Sequence, residues 1–140
     1  MANRGVIRCE EAYAQGKMLD NSAWNYLPRG ITPSDIDLVF DNAGRMLICE
    51  LSRHHARWGA LRKHAPGQVS LYEILVRRGC TAALLKHSVP STQTICSRND
   101  IDSFAIMKRN GDGLFISEKP RDGSEWPAFV DDWFGVTLGL

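Results

Sequence analysis

At 140 residues the chain has the size of one compact domain that buries about two thirds of the surface its unfolded form exposes. Its hydrophobic fraction of 44% and charged fraction of 24% are those of a globular protein, which excludes a fibrous or disordered chain. A formal charge of +1 gives no global attraction to polyanions, so any nucleic-acid-binding face has to be local.

The opening segment, MANRGVIRCEEAYAQGK, lacks the apolar core of a signal peptide. No run approaches the roughly 18 residues needed to cross a bilayer, which predicts a cytoplasmic protein. Residues from about Ile7 to Leu19 are good helix formers and read as an amphipathic first helix with Glu10 and Glu11 in its middle. NYLPRGITPSD then breaks the periodicity with prolines and a glycine. Cys9, Cys49, Cys80 and Cys96 lack the close spacing of a zinc knuckle or a redox pair and are expected as reduced, mostly buried thiols. No internal repeat, low-complexity tract or Gly/Ser linker divides the chain, so a single domain spanning 1–140 is expected.

Two apolar runs follow, IDLVF and RMLICEL, separated by DNAG, which is hairpin-turn chemistry. Between Ser52 and Gly79 the pattern is mostly helical, interrupted at APG. The second half, QVSLYEILVRRG, places Val69, Tyr72, Ile74, Leu75 and Val76 largely on one side, and Gly79 is a natural stop. CTAALLKHS reads as a buried strand, and DSFAIMKR and GLFISE as two more joined by NGDG. In the tail, Trp126, Phe129, Val130, Trp133 and Phe134 recur at helical spacing, which predicts a helix docked on the sheet. The order of elements predicts an α/β or α+β sandwich.

The hairpin carries acids among its apolar residues. Alternation puts Asp35, Asp37, Val39 and Asp41 on one face of the first strand, and Ile36, Leu38 and Phe40 on the other. On the second strand Met46, Ile48, Glu50 and Ser52 share a face. With two loop residues Asp35 is expected to oppose Glu50, with Asp37 its diagonal neighbour; with four, Asp37 opposes it directly. Either way carboxylates cluster, at a cost of several kcal/mol if buried without compensation. A divalent ion would relieve that cost, and hard oxygen ligands select magnesium, calcium or manganese over zinc, as suits a phosphate-processing site. The alternative is that the acids sit at solvated strand ends and cap neighbours.

IDLVFDNAGRMLICELS, the helix ending ILVRRG, and CTAALLKHS together resemble the core of the PD-(D/E)XK nuclease superfamily over roughly Ile31 to Ser88. Within it the likeness is to the small archaeal-type Holliday-junction resolvases. The resemblance implies a restriction-endonuclease-like α/β core, with a mixed central sheet, a β-hairpin carrying the acids, and flanking helices. It implies a Mg2+- or Mn2+-dependent endonuclease acting on DNA, with RNA left open, and many small resolvases act as symmetric homodimers. Asp37 and Glu50 take the two metal-binding acidic positions, with Asp35 and, from the first helix, Glu10 or Glu11 as further ligand candidates. The departure is Ser52, where the pattern has Lys; a hydroxyl supplies no positive charge to the developing phosphorane. Arg53 is set on the opposite face if the strand continues, which leaves Arg57 or Lys63 of the following helix as the expected donor. Gln68 matches a Gln that related nucleases place beside the metal-bound phosphate. The acid-free segment SRHHARWGALRKH supplies Arg53, Arg57, Arg62 and Lys63 as candidate phosphate-backbone contacts. The competing expectation is a degenerate nuclease fold that binds nucleic acid, or inhibits a partner protein, without cutting.

Overall fold

The structure, a computed structural model, describes residues 36–109, 115–117 and 119–135. Strands β1 (Leu38–Asn42) and β2 (Arg45–Ser52) form the expected hairpin. Ala43 and Gly44 between them take φ of 52° and 86°, positive at both turn positions, and that backbone twist suits a two-residue hairpin loop. Pairing runs from Asn42 with Arg45 to Leu38 with Cys49; extended by one step this register would bring Asp37, not Asp35, against Glu50, but the ladder stops at Leu38. The expected link between a two-residue loop and an Asp35–Glu50 pair is thereby corrected. β1 continues through Asp41 and Asn42 to the turn itself, and each step away from the turn advances both strands equally. Asp35, Glu10, Glu11 and the expected first helix lie outside the described residues.

β2 pairs parallel with β3 (Thr81–His87), from Leu47 with Thr81 to Ser52 with Lys86. Parallel neighbours require a crossover, and helices α1 (Trp58–His64) and α2 (Pro66–Arg77) supply it. The break between them falls at Ala65, with φ −136°, because the ring of Pro66 disfavours the helical conformation in the residue before it and suits a first helical turn. This is the interruption expected at APG. α2 stops as expected: Gly79 takes φ 100°, and the Gly79 and Cys80 amides donate to the Val76 and Leu75 carbonyls at 3.1 and 3.0 Å.

β4 (Ile101–Arg109) lies antiparallel to β3, with a register shift at Lys86/His87. β5 (Phe115–Ser117) pairs with the C-terminal end of β4, and β6 (Arg121–Asp122) with its N-terminal half. A short 3-10 turn, Gly123–Glu125, leads into α3 (Trp126–Phe134). The architecture is α/β, a mixed sheet in the order β1-β2-β3-β4-β5 flanked by helices.

Leu47, Ile48 and Cys49 on β2 and Ala82 to Leu85 on β3 are fully buried, the near-continuous apolar run of central strands covered on both faces. One face packs Leu47, Cys49, Leu85, Phe104 and Ile106 against Trp126, Val130 and Trp133 of α3. The other packs Ile48, Leu84, Ala105 and Met107 against Trp58, Leu61, Val69 and Tyr72 of α1 and α2. An aromatic side chain buries 150–250 Å², worth about 4–6 kcal/mol in area terms, so the buried Trp58 and Trp126 rings are major anchors of the two layers.

Several expectations are revised. Ile36 packs in the α1/α2 layer whereas Leu38 and Phe40 face α3, because the chain bends at Asp37 before the strand begins. Ile74 is 46% exposed; five residues beyond Val69 it lies well off the buried stripe. Cys96 is exposed, while Cys49 is buried and Cys80 half-buried. No helix among the described residues is long and apolar enough to cross a membrane.

Candidate active site

Glu50 and Gln68 meet near the end of β2, with Asp37 on the amide of Leu51 and Ser52 at the strand's last position, at the carboxyl edge of the parallel pair, a usual location for ligand sites in open α/β sheets. Glu50 is half-buried on β2, facing α2. Its Oε1 accepts from Gln68 Nε2 at 3.0 Å and lies 2.8 Å from the Tyr72 hydroxyl. That hydroxyl also lies 2.9 Å from the Cys49 carbonyl, and its single proton serves one acceptor at a time. Gln68 and Tyr72 are four residues apart on α2 and therefore on one helix face. Burial first, and the adjacent Glu50 carboxylate second, push the Tyr72 phenol far above its ordinary range, which keeps it a neutral donor. Burial, with a smaller contribution from Asp37, likewise raises the Cys49 thiol and keeps it unreactive.

Asp37 is exposed, and its Oδ2 accepts from the Leu51 amide at 2.8 Å. The side chain thus takes the donor that would otherwise extend the β1–β2 ladder, which accounts for the bend at Asp37 and for β1 beginning at Leu38. Ser52 is buried, and its Oγ accepts from the His55 amide at 3.0 Å. This local bond turns the chain off the strand towards α1, a use to which serine is suited.

The candidate cations are dispersed. Arg53 follows the end of β2 and is exposed, and it lies close enough to His87 to affect its titration. Arg57 occupies the N-cap of α1 and Lys63 its last turn, both exposed; no described contact ties either to the acids. Arg62 pairs with Glu73 of α2 at 2.6 Å. Arg62, Lys63 and His64 together occupy the last turn of α1, where positive charge complements the helix dipole. His55 and His64 stack at 4.6 Å between ring centroids.

Sequence reasoning missed Tyr72 and Lys86. The four-residue spacing from Gln68 was available as a signal for Tyr72. Lys86 is brought beside Ser52 by the parallel register, which pairs positions 34 apart and leaves no local trace. Among the described residues no group of three or more His, Cys, Asp and Glu side chains converges to cage a metal. No protein-family model matches the chain, nor does any curated protein or solved structure match it significantly.

Proposed function

We propose that the chain is a divalent-metal-dependent nuclease that hydrolyses phosphodiester bonds in DNA on a restriction-endonuclease-like core. The observation that carries this reading is that Asp37 lies against the end of β2, its carboxylate on the amide of Leu51 next to Glu50, while α2 holds Glu50 through Gln68 and Tyr72. A pair of carboxylates near one edge of the sheet suits magnesium or manganese, which keep several waters and take one or two carboxylates plus phosphate oxygens rather than an all-protein cage. Asp37 and Glu50 would hold the ion, and Asp35 and Glu11 remain proposed further ligands. When bound, the metal would polarise a phosphoryl oxygen and lower the pKa of its water. The protein's own part is positional. Tyr72 and Gln68 fix the Glu50 carboxylate, and the Leu51 amide fixes that of Asp37. Arg53, Arg57, Arg62 and Lys63 would contact the phosphate backbone beside the site.

The test is cleavage of linear, single-stranded and four-way-junction DNA with magnesium or manganese, alongside thermal melting. Either metal is expected to raise the melting temperature, since a ligand of the native state stabilises it by mass action. Asp37→Ala is expected to remove that rise and to lower cleavage at least about a hundredfold. Calorimetry showing no heat of binding at millimolar manganese would count against the nuclease. It would favour a second reading, a degenerate nuclease fold that binds nucleic acid or inhibits a partner protein. One observation supports that reading: Ser52, at the Lys position of the motif, is buried and bonded to the His55 amide.

A further inference from the structure

Parallel pairing of β2 with β3 sets Leu84 beside Glu50 and Lys86 beside Ser52. Laterally paired residues point to the same side of a sheet, and Ala82 and Leu84 pack with Ile48 in the α1/α2 layer. Lys86, two residues beyond Leu84, therefore rises from the same face as Glu50. Neighbouring strands lie about 4.8 Å apart and same-face residues about 6.6 Å apart along a strand, so the Lys86 and Glu50 Cα atoms are on the order of 8 Å apart. The four-carbon stem of a lysine spans most of that gap.

We propose that Lys86 supplies, from the neighbouring strand, the positive charge that meets a phosphate bound in front of Glu50, in place of a lysine at position 52. This inference rests on the phosphodiesterase reading of the site. The surroundings of Lys86 suit the role. The register shift between β3 and β4 falls at Lys86/His87, and such irregularities re-aim side chains beside active sites. The Lys86 side chain is 30% exposed and its ammonium lies 3.8 Å from Asp102 Oδ2, a long contact beside the roughly 2.7–2.9 Å of a strong charge-assisted bond. Asp102 also accepts from the Ser88 hydroxyl, so it does not depend on Lys86 alone. An arriving phosphate can draw the ammonium away from this solvent-exposed partner at little cost. Arg53, Lys86 and Asp37 all lie near enough to His87 to influence it, which gathers both signs of charge at this edge of the sheet.

Two readouts test the assignment, one of them free of metal. In EDTA, binding of a short duplex DNA is followed by fluorescence anisotropy over a range of salt. Lys86→Ala is expected to reduce the salt slope by about one phosphate contact, and Lys86→Arg to preserve it. With manganese, Lys86→Ala is expected to lower turnover about a hundredfold, Lys86→Arg less, and the double variant Ser52→Lys/Lys86→Ala to recover part of the loss. Melting curves check folding, and Lys86→Ala should melt near the wild type because the pair with Asp102 is weak. An unchanged salt slope together with unchanged turnover in Lys86→Ala overturns the assignment, as does a larger loss in Arg57→Ala or Lys63→Ala. A wild type that cuts nothing while Lys86→Ala still lowers the salt slope defeats the nuclease reading and leaves Lys86 as a phosphate-binding residue. A wild type that neither cuts nor binds DNA overturns both.

Discussion

Tyr72 shows how one side chain ties core to site. Its ring is fully buried against Trp58, with centroids 5.0 Å apart, while its hydroxyl reaches Glu50 Oε1 at 2.8 Å and the Cys49 carbonyl at 2.9 Å. Removing the hydroxyl leaves the packing intact and takes away the one donor that the Cys49 carbonyl and Glu50 Oε1 share. Tyr72→Phe is therefore expected to cost about 1–2 kcal/mol, read as a lower urea midpoint at unchanged slope. An unchanged midpoint would mean that the hydroxyl contributes nothing to holding Glu50. Ser52 illustrates the reverse relation: the residue that looks anomalous against the nuclease motif has a local task, accepting the His55 amide where the strand ends.

Among the elements, α2 does most to shape the site, because its start and its end are both fixed by chain chemistry. Pro66 sets the start and Gly79 the stop, so the face carrying Gln68, Val69 and Tyr72 is held over β2. Gly79 needs its left-handed φ of 100° to direct the Gly79 and Cys80 amides at the last carbonyls of the helix. Nothing lies within 4 Å of a Cβ built at this glycine, so conformational strain alone opposes a side chain. Gly79→Ala is expected to destabilise by about 1 kcal/mol, measured by thermal melting; a loss several times larger would indicate that the helix end rearranges and takes β3 with it. The hairpin is built on a similar constraint, with Ala43 held at φ 52° where Asn or Gly is usual.

At the level of the whole molecule, stability should depend on pH through His87. The residue is 5% exposed, and its Nδ1 accepts from the Val89 amide at 3.2 Å, which requires that nitrogen to be unprotonated. Burial first, and Arg53 second, hold its pKa below the ordinary 6.5, outweighing the opposite influence of Asp102 and Asp37. The unfolded chain therefore takes up a proton at a pH where the folded protein does not, and stability rises with pH across that interval. Melting temperature is expected to fall as pH drops from about 7.5 to about 5, through the range in which an ordinary histidine titrates. His87→Gln should flatten the slope; an equally steep slope in that variant would assign the dependence to other groups.

Most of the described elements were legible in the sequence, though the short β6 and the 3-10 turn after it were not. The two apolar runs around DNAG, the interruption at APG, the stop at Gly79, the CTAALLKHS strand and the Trp126 to Phe134 stripe all read correctly, because turn chemistry and hydrophobic period act over a few neighbouring residues. The interruption of the apolar alternation by Asp37 and Glu50 was visible for the same reason, whereas Gln68 was singled out only through the resemblance, and its bond to Glu50 is seen in the structure. What the tertiary structure alone decided was adjacency between distant segments. It decided the hairpin register, since that depends on where pairing stops at the turn, and it decided that Tyr72 and Gln68 share the Glu50 carboxylate. It also placed Lys86, rather than the helix residues Arg57 or Lys63, beside Ser52. Parallel register is fixed by how the α1–α2 crossover packs its apolar face onto the sheet, a property of the assembled layers that no local stretch of the chain encodes.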